Sequence, residues 1–444
     1  MISPARDAAL DILLRVEHHG AFASELIHSE RLEKLTPQDR GLCMELVLGV
    51  LRWRSRLDEV LASVSSQKLS KLDPEVLEAL RLAAYQIGFL DRIPPHAAVN
   101  DSVELAKRKK KRSAAPFVNA VLRKLVSKKA DLGAQDAPVE NARDLARKYA
   151  HPDWMVERWV RRYGFELAER ICQHDQSVPT TSIHVSDDSA IGELSSAGIT
   201  LGPGQLIKRS RRVVTGDVTK EQAFLTGRVA IQDEASQLVA MLVGRGERLL
   251  DCCAAPGGKA AILAQRNVAS QVVATEIHAH RAAAMERRLK GNPNIRVMTA
   301  DATQLSADMV FDRVLADVPC SGTGTLGRNP EIKWRMQSSD LDDLHARQMS
   351  ILRSALKHVT RGGRAVYSTC SLEPEENERV VEQVLRENSE YQVQDMALEL
   401  KQLRGEGELL DVHIQSLLDG PFLRVVPGAF GTDGFFAAMI ARVS

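Results

Sequence analysis

Two cysteines stand in contexts that suit covalent chemistry. Cys320 lies in the run DVPCSG at 317–322, and Cys370 lies in the run YSTCS at 367–371. Each follows an apolar run that predicts a β-strand, and each precedes small, turn-forming residues. A thiolate is a strong nucleophile that adds to electron-poor carbon, and a second ionisable thiol nearby could handle the proton that must later leave. The pair therefore indicates an enzyme that attacks a pyrimidine ring.

The cysteines as a set do not form the pattern of a disulfide framework or of a metal site. There are 6 in a chain of 444 residues, and no two have the Cys-x-x-Cys spacing of zinc or redox motifs. Cys252 and Cys253 are adjacent, so on a strand their side chains point in opposite directions and suit chelation poorly. We therefore expect free cysteines and no bound metal.

Length and composition indicate an ordinary globular protein of several domains. A chain of 444 residues exceeds what one compact core usually supports, which predicts two or three domains. Hydrophobic residues make up 44% and charged residues 26% of the chain. No apolar run approaches membrane-spanning length, and the first residues lack the apolar core of a signal peptide. We expect a cytoplasmic protein, and a monomer, because no exposed heptad or apolar stripe stands out.

Positive charge is concentrated in one stretch although the net charge is only +1. An uninterrupted basic run, KRKKKR, occupies residues 107–112. Such a run is often the solvated end of a helix. Like charges side by side repel one another, however, and a phosphate backbone explains them better. The run predicts nucleic-acid contact through Lys107, Arg108, Lys109 and Lys110.

The spacing of apolar residues divides the chain into three parts. The first part has helical spacing in nearly every segment, which predicts an all-α domain over residues 1–132. Residues 133–140 have the composition of a linker. Helical spacing returns as far as Gln176, and short apolar pieces then alternate with Gly and Ser turns up to about Arg228. These segments predict a second region, over residues 140–229, in which a helical linker joins a small α/β module that binds RNA.

In the third part, from Ala230 onward, strand-like and helix-like segments alternate. This alternation predicts an α/β domain over residues 230–444 with a parallel, doubly wound sheet. The carboxyl ends of parallel strands share one edge, and such sheets bind their ligands there. The polar residues at the predicted strand ends are Asp251, Glu276, Asp301, Asp317 and Cys370.

A glycine loop, CAAPGGK at 253–259, follows the first of these strands and enters a helix. Glycines let backbone approach a ligand closely, and the start of a helix offers unpaired N–H groups. Glu276 is placed to accept both hydroxyls of a ribose, and Asp301 can reach an adenine amine. The loop lacks the Gly-x-Gly-x-x-Gly spacing for pyrophosphate and the Lys-Ser or Lys-Thr ending of a triphosphate loop. S-adenosylmethionine, which has no phosphate, therefore fits better than NAD or ATP.

Three long motifs stand at the predicted strand ends: DCCAAPGGK at 251–259, DVPCSGTG at 317–324 and STCSLEPEENE at 368–378. They resemble the signature motifs of RNA cytosine-5 methyltransferases of the NOL1/NOP2/Sun family, and the resemblance covers about residues 230–444. It implies a Rossmann-like S-adenosylmethionine-dependent methyltransferase fold. The residues it implies for cofactor binding are Cys253, Ala254, Ala255, Pro256, Gly257, Gly258, Lys259, Glu276, Asp301 and Asp317.

The resemblance also implies catalytic roles. Cys370 would add to C6 of cytosine, which makes C5 an enamine carbon able to take a methyl group. Cys320 would assist loss of the C5 proton and release of Cys370, and Asp317 would lie between cofactor and base. DNA cytosine methyltransferases use the Pro-Cys cysteine as nucleophile, so a swapped assignment stays open. Lys259 is a hypothetical source of the positive charge that a thiolate needs, and the acids at 373–378 are interpreted as helix-start and surface residues.

The first domain carries a second resemblance. VNDSVELA at 99–106 and FVNAVLR at 117–123 resemble the NusB-type helical RNA-binding fold. A NusB-like domain ahead of this catalytic domain is the layout of bacterial family members that methylate a cytosine of small-subunit (16S) ribosomal RNA, and the resemblance implies that RNA as partner. Arg328 and Lys333 are further predicted RNA contacts, although Gly327 stands where many relatives carry an arginine.

Two alternative functions stay open. The first keeps the reaction and moves the target to transfer RNA. The second is a nonenzymatic RNA-binding or antitermination factor with a vestigial methyltransferase domain. The intact cysteines and cofactor loop argue against the second alternative.

Overall fold

The computed structural model describes residues 3–27, 29, 32, 34–128 and 138–443. The chain packs as two compact units. The first comprises residues up to Val178 together with Leu326–Arg335, and the second comprises Pro179–Thr325 and the chain from Met336 onward. The predicted linker at 133–140 falls mostly outside the described residues. The three-domain division at 1–132, 140–229 and 230–444 stays a prediction.

The first unit is helical, as its apolar spacing predicts. Pro4, Pro37 and Pro74 each stand in the first turn of a helix, where the missing N–H has no partner to lose. Thr36 caps the second of these helices by accepting a hydrogen bond from the Asp39 N–H. The α-helices of this unit are Pro4–His19, Ala23–Ile27, Pro37–Val64, Pro74–Phe89, Pro95–Arg108, Ala115–Ser127, Ala142–Lys148, Asp153–Tyr163, Phe165–Gln176 and Ile332–Arg335.

Side chains of the long helices form one core in the first unit. Leu10, Leu46 and Leu80 lie in it with 0% of their surface exposed. Gly49 allows two helices to approach closely, because a Cβ atom at this position would collide with the ring of Tyr85. Burial of these apolar faces is the main force that holds the helices together.

The second unit contains a small antiparallel sheet that corresponds to the predicted α/β module. Its strands pair in the order β2-β3-β1-β4. The helix Asp188–Ser196 packs against this sheet, and Ile183 and Leu194 are buried between them. The strands are β1 Ser182–Val185, β2 Thr200–Pro203, β3 Ser210–Thr215 and β4 Val229–Ile231.

The larger sheet of the second unit is mixed. Five neighbouring strands, in the order β9-β8-β5-β6-β7, are parallel, and β13 extends the sheet by pairing antiparallel with β9. β12 and β10 both pair antiparallel with β13, and β11 pairs with β12. The predicted parallel sheet is thus present in these five strands, and the last strands add an antiparallel part that the sequence did not predict. The strands are β5 Arg248–Asp251, β6 Gln271–Glu276, β7 Ile295–Thr299, β8 Phe311–Asp317, β9 Val359–Thr369, β10 Tyr391–Gln394, β11 Leu418–Asp419, β12 Phe422–Val425 and β13 Phe435–Arg442.

Helices flank the larger sheet, whose central strands are buried on both faces, as parallel strands require. Among the described residues, no helix combines the length and apolar character needed to cross a membrane. The remaining α-helices of the second unit are Gln222–Leu225, Glu234–Leu242, Gly258–Arg266, Ala279–Arg288, Asp340–Lys357, Glu378–Arg386 and Met396–Gly405. The 3₁₀ helices of the chain are Leu69–Lys71, Arg112–Ala114, Val218–Lys220, Thr323–Thr325, Pro374–Glu376, Ile414–Leu417 and Ala429–Gly431.

Candidate active site

The two cysteines singled out by the sequence meet at one edge of the larger sheet. β8 and β9 are parallel neighbours, so the loops that follow them leave the sheet side by side. Cys370 directly follows β9, and Cys320 lies in the loop after β8. Their Sγ atoms are 3.3 Å apart, within hydrogen-bond distance for sulfur, and both are free thiols. The structure thus brings together the predicted nucleophile and its predicted partner.

The surroundings of Cys320 favour its protonated form. The hydrogen bond with Cys370 and burial together raise the pKa of the Cys320 thiol well above its ordinary value. Either sulfur can donate in this hydrogen bond, and the raised pKa favours Cys320 as the donor. That hydrogen bond stabilises negative charge on Cys370, which is the arrangement expected if Cys370 attacks first.

Asp317 and Lys259 form an ion pair at the end of β8. Lys259 Nζ donates to Asp317 Oδ2 at 2.8 Å, and Ser368 Oγ donates to Asp317 Oδ1 at 2.7 Å. Burial opposes the charge on Lys259, but the Asp317 carboxylate prevails and raises the pKa of the ammonium. The Cys370 thiol acts on that pKa in the same direction, so Lys259 and Cys370 are electrostatically coupled. Lys259 therefore remains our hypothetical source of positive charge for the nucleophile.

A buried acid that sequence reasoning misplaced lies beneath both loops. The prediction that residues 373–378 are surface acids was wrong for Glu373 and Glu376, which are 1% and 0% exposed. Glu376 accepts a hydrogen bond of 2.8 Å from the N–H of Ser321, the residue after Cys320. The position of Glu376 in the same motif as Cys370 could have indicated a role near the cysteines. Acidic residues in such a cluster normally face water, however, and this favoured a surface position.

The glycine loop at 253–259 borders a cleft at the carboxyl end of β5. Gly257 has a φ of 102°, a conformation that residues with a Cβ rarely adopt, and it precedes the helix that starts at Gly258. The cleft includes Pro256, Lys259 and Asp317 in its lining. The backbone conformation and the polar lining together fit a small ligand with charged ends.

Asp251, which ends β5, adds a buried carboxyl group to this cleft. Both of its carboxylate oxygens are buried, and neither accepts a hydrogen bond of good geometry within the described part of the chain. Burial, and then the charge of Asp317, raise the pKa of Asp251 to about 7, against the opposing effects of Lys259 and the Cys253 backbone N–H. An orphaned carboxylate in the cleft fits a ligand that brings a donor of its own, such as an ammonium group.

The two acids predicted to hold the nucleoside stand at the ends of the next two strands. Glu276 ends β6 and is 5% exposed, and its Oε1 accepts a hydrogen bond of 2.9 Å from the N–H of His278. Asp301 lies two residues beyond the end of β7, and its Oδ1 accepts a hydrogen bond of 2.8 Å from the N–H of Thr303. Both residues thus lie at the sheet edge that carries the glycine loop, as the strand order requires. Together with Asp251, they make three carboxylates that accept hydrogen bonds, and these fit the ammonium, ribose hydroxyl and adenine amine donors of S-adenosylmethionine.

The basic run lies in the first unit, where the helix Pro95–Arg108 ends. Acidic side chains lie against it, so mutual repulsion is relieved within the protein and does not by itself require a phosphate backbone. The ion pairs of the run are Lys107–Glu104, Arg108–Asp7, Lys109–Asp11 and Lys111–Asp73. RNA contact through Lys107, Arg108, Lys109 and Lys110 stays a prediction.

Lys333, one of the predicted RNA contacts, is buried inside the first unit. It lies in the first unit with 1% of its surface exposed, and its Nζ donates to the backbone oxygens of Arg52 at 3.0 Å and Ala150 at 3.1 Å. Burial lowers the pKa of Lys333 to about 7. An ammonium in this position cannot reach a phosphate, so Lys333 is withdrawn from the predicted RNA-binding residues. Arg328, half-buried in the same segment, stays a prediction.

Two family models match this chain. A family model described as "16S rRNA methyltransferase RsmB/F" matches residues 239–441, and a "NusB family" model matches residues 3–127. The predicted family and the layout of a NusB-like region ahead of a methyltransferase domain are thereby confirmed.

Similar proteins match over almost their whole length. "Probable ribosomal RNA small subunit methyltransferase B" of Bacillus subtilis is 34% identical over 452 residues, which cover 98% of each chain. "Ribosomal RNA small subunit methyltransferase B" of Escherichia coli is 30% identical over 448 residues, also 98% of each chain.

Solved structures agree on the fold. One crystal structure, 23% identical, covers 99% of both chains with a TM-score of 0.80. A methyltransferase homolog from Pyrococcus horikoshii, 25% identical, covers 68% of this chain and 98% of its own with a TM-score of 0.55. The chain therefore belongs to the RsmB/F family of 16S rRNA methyltransferases and carries a NusB-family domain.

Proposed function

We propose that this protein transfers a methyl group from S-adenosylmethionine to C5 of a cytosine in small-subunit ribosomal RNA, through a covalent bond between Cys370 and C6 of the base. One observation carries the proposal: the Cys320 and Cys370 sulfurs lie 3.3 Å apart at the ends of neighbouring parallel strands. A single thiol would serve many reactions. A pair at this distance suits a reaction in which one sulfur forms a bond and the other moves a proton.

In the first step, the Cys370 thiolate adds to C6. The Cys320 S–H hydrogen bond and the buried Lys259 ammonium stabilise that thiolate before attack. Asp317, held by Lys259 and Ser368, borders the same site and is the residue we assign to the polar edge of the cytosine. Addition at C6 leaves electron density at C5. When bound, S-adenosylmethionine supplies an electrophilic methyl group to that carbon.

In the second step, Cys320 removes the C5 proton and Cys370 leaves. The hydrogen bond with Cys370 heads the causes that raise the pKa of Cys320. Once Cys370 is bonded to carbon its sulfur carries no charge, so this cause is weakened and Cys320 releases its proton to water, which is the one proton that the overall reaction sets free. The Cys320 thiolate then takes the proton from C5, the C5–H electrons restore the double bond, and the C6–S bond breaks. Cys370 leaves as a thiolate beside a protonated Cys320, which is the starting state.

The cofactor would be held by the residues around the glycine loop. Asp251 would accept from its ammonium group, and Glu276 from its ribose hydroxyls. Asp301 would accept from the adenine amine. The glycine loop at 253–259 would contact the opposite side of the cofactor. These assignments rest on the orphaned carboxylate of Asp251 and on the strand ends that carry the acids.

The test is covalent trapping on small-subunit ribosomal RNA that contains 5-fluorocytosine, with S-adenosylmethionine present. Fluorine at C5 leaves no proton for Cys320 to remove, so the adduct persists in a denaturing gel. We expect an adduct with the wild-type protein and with Cys320→Ala, and none with Cys370→Ala. With ordinary cytosine, Cys320→Ala should still trap RNA, because release is blocked.

Other outcomes distinguish the alternatives. An adduct that is lost only with Cys320→Ala would exchange the roles of the two cysteines. An adduct on transfer RNA in place of ribosomal RNA would move the substrate. No adduct with any variant or RNA would overturn the covalent mechanism.

A further inference from the structure

One buried carboxylate joins the two loops that carry the cysteines. Glu376 is 0% exposed. Its Oε1 accepts hydrogen bonds of 2.8 Å from the Ser321 N–H and 2.8 Å from Gln348 Nε2. Its Oε2 accepts from the hydroxyls of Ser321 and Ser371. Four donors therefore converge on a single side chain, and hydrogen bonds to a charged acceptor are stronger than neutral ones.

The donors adjoin the reacting sulfurs. Ser321 directly follows Cys320, and Ser371 directly follows Cys370. Glu376 therefore ties the residue after each cysteine to one point. The two serine hydroxyls are also 3.0 Å from each other, which closes a compact network.

Glu376 is itself fixed from outside the network. Gln348 Nε2 also donates to the carbonyl oxygen of Pro319 at 3.0 Å, so the residues on both sides of Cys320 are held. The hydroxyl of Tyr367, on β9, donates to the backbone oxygen of Glu376 at 2.6 Å. The carboxylate is thus anchored to a sheet strand and to the helix Asp340–Lys357, which are rigid supports.

We propose that Glu376 is a positioning residue that holds the Cys320 and Cys370 sulfurs at reaction distance. The role in catalysis rests on the proposed function, whereas the geometric role does not. The backbone itself joins the loops after the two strands at one point, where the Gly324 N–H donates to the Cys370 carbonyl oxygen at 2.9 Å. Glu376 adds a second link through its side chain, between the residues that directly follow the two cysteines.

The charge of Glu376 has a separate effect. It is among the causes that raise the pKa of Cys320, after the hydrogen bond with Cys370 and burial. Glu376→Gln keeps the shape of the side chain and removes this charge, so it should lower the pKa of Cys320. Glu376→Ala removes the hydrogen bonds as well.

The geometric role is tested without RNA or cofactor. A trivalent arsenical such as phenylarsine oxide binds tightly only where two thiols lie close together. We expect Glu376→Ala to bind it about tenfold more weakly than the wild type, a loss of about 1.4 kcal/mol. Cys320→Ser measures the background from the other cysteines. Glu375→Gln is the matched control, because its half-buried side chain pairs with the exposed Arg379, and it should bind like the wild type.

A folded Glu376→Ala variant that binds the arsenical as tightly as the wild type would overturn the proposal. If Glu376→Ala does not fold, Glu376→Gln carries the same test. Its amide cannot accept from all four donors, so weaker arsenical binding is expected, and unchanged binding would count against the proposal.

The role in catalysis is tested by the pH dependence of adduct decay on cytosine RNA. With Glu376→Gln, the midpoint should move to lower pH, because Cys320 loses a negative neighbour. A slower decay with an unmoved midpoint would reduce Glu376 to a structural role. If the arsenical result holds and no RNA adduct forms with any variant, the positioning role stands and the proposed function fails.

Discussion

At Asp251, a feature that suits ligand binding lowers the stability of the folded chain. Its two oxygens are buried without a hydrogen bond of good geometry among the described residues, and its pKa is raised to about 7. The folded chain therefore keeps a proton between about pH 4 and pH 7 that the unfolded chain has released. The free energy of unfolding must fall as pH rises through this window. An ammonium group of a ligand in the cleft would offset this loss of stability by pairing with the ionised carboxylate.

Replacing Asp251 with asparagine should remove that pH dependence. Between about pH 5 and pH 8, the fall in free energy of unfolding should shrink by on the order of 2 kcal/mol relative to the wild type. Urea titrations at the two pH values provide the measurement, and the exposed Asp342→Asn serves as control. The same variant should bind S-adenosylmethionine more weakly by calorimetry. An unaltered fall with pH would mean that the folded and unfolded chains titrate alike at this position.

At the scale of elements, the sequence predicts which segments form strands but not all that surrounds them. Apolar runs and the acids that end them located β5, β6 and β8, because strand period and burial are local properties. The antiparallel pairing of β13 was missed, since strand order depends on contacts far apart in the chain. The burial of Glu376 and Lys333 was missed for the same reason. Charged residues are seldom fully buried, and only tertiary structure reveals the partners that permit it.

The segment Leu326–Arg335 illustrates this point. It follows the loop that carries Cys320, yet it packs in the helical unit. Arg52 donates to the Gly327 carbonyl oxygen at 2.9 Å, and Trp334 Nε1 donates to the Leu51 carbonyl oxygen at 2.6 Å. The segment is therefore fixed along its length by hydrogen bonds within that unit.

Lys333, near the end of this segment, should give the protein an unusual pH dependence of stability. Its pKa is lowered to about 7 by burial, so between about pH 7 and pH 10 the unfolded chain binds a proton that the folded chain does not. Stability should therefore rise with pH in this window, by up to about 1.4 kcal/mol per pH unit. Lys333→Met should lack this rise in urea titrations at about pH 7 and pH 9, whereas the exposed Lys124→Met should keep it. Equal slopes in wild type and Lys333→Met would contradict the prediction.

At the scale of the whole molecule, the two units are not consecutive pieces of chain. Leu326–Arg335 belongs to the first unit, although it lies in the sequence between the two segments of the second unit. A fragment starting at Pro179 would carry Lys333 and Trp334 without the backbone oxygens that accept their hydrogen bonds. Buried polar groups without partners are costly, so this fragment should be less stable than the intact chain.

Coexpressed fragments 1–178 and 179–444 should therefore copurify. The segment Leu326–Arg335 supplies the link, because its partners lie in the first fragment. Replacing this segment with a glycine-serine linker of equal length should abolish copurification, which affinity capture of one tagged fragment would measure. Copurification that survives the replacement would assign the association to other surfaces.

The shared segment also limits how genes for such proteins can recombine. A single crossover between the two parts would bring in a new helical module while leaving behind a short stretch of codons matched to the old one. In the recombinant, a lysine and a tryptophan would face a helical module whose backbone oxygens are not positioned to accept their hydrogen bonds. The first part of the gene and this internal stretch must therefore be inherited together, although more than a hundred codons separate them.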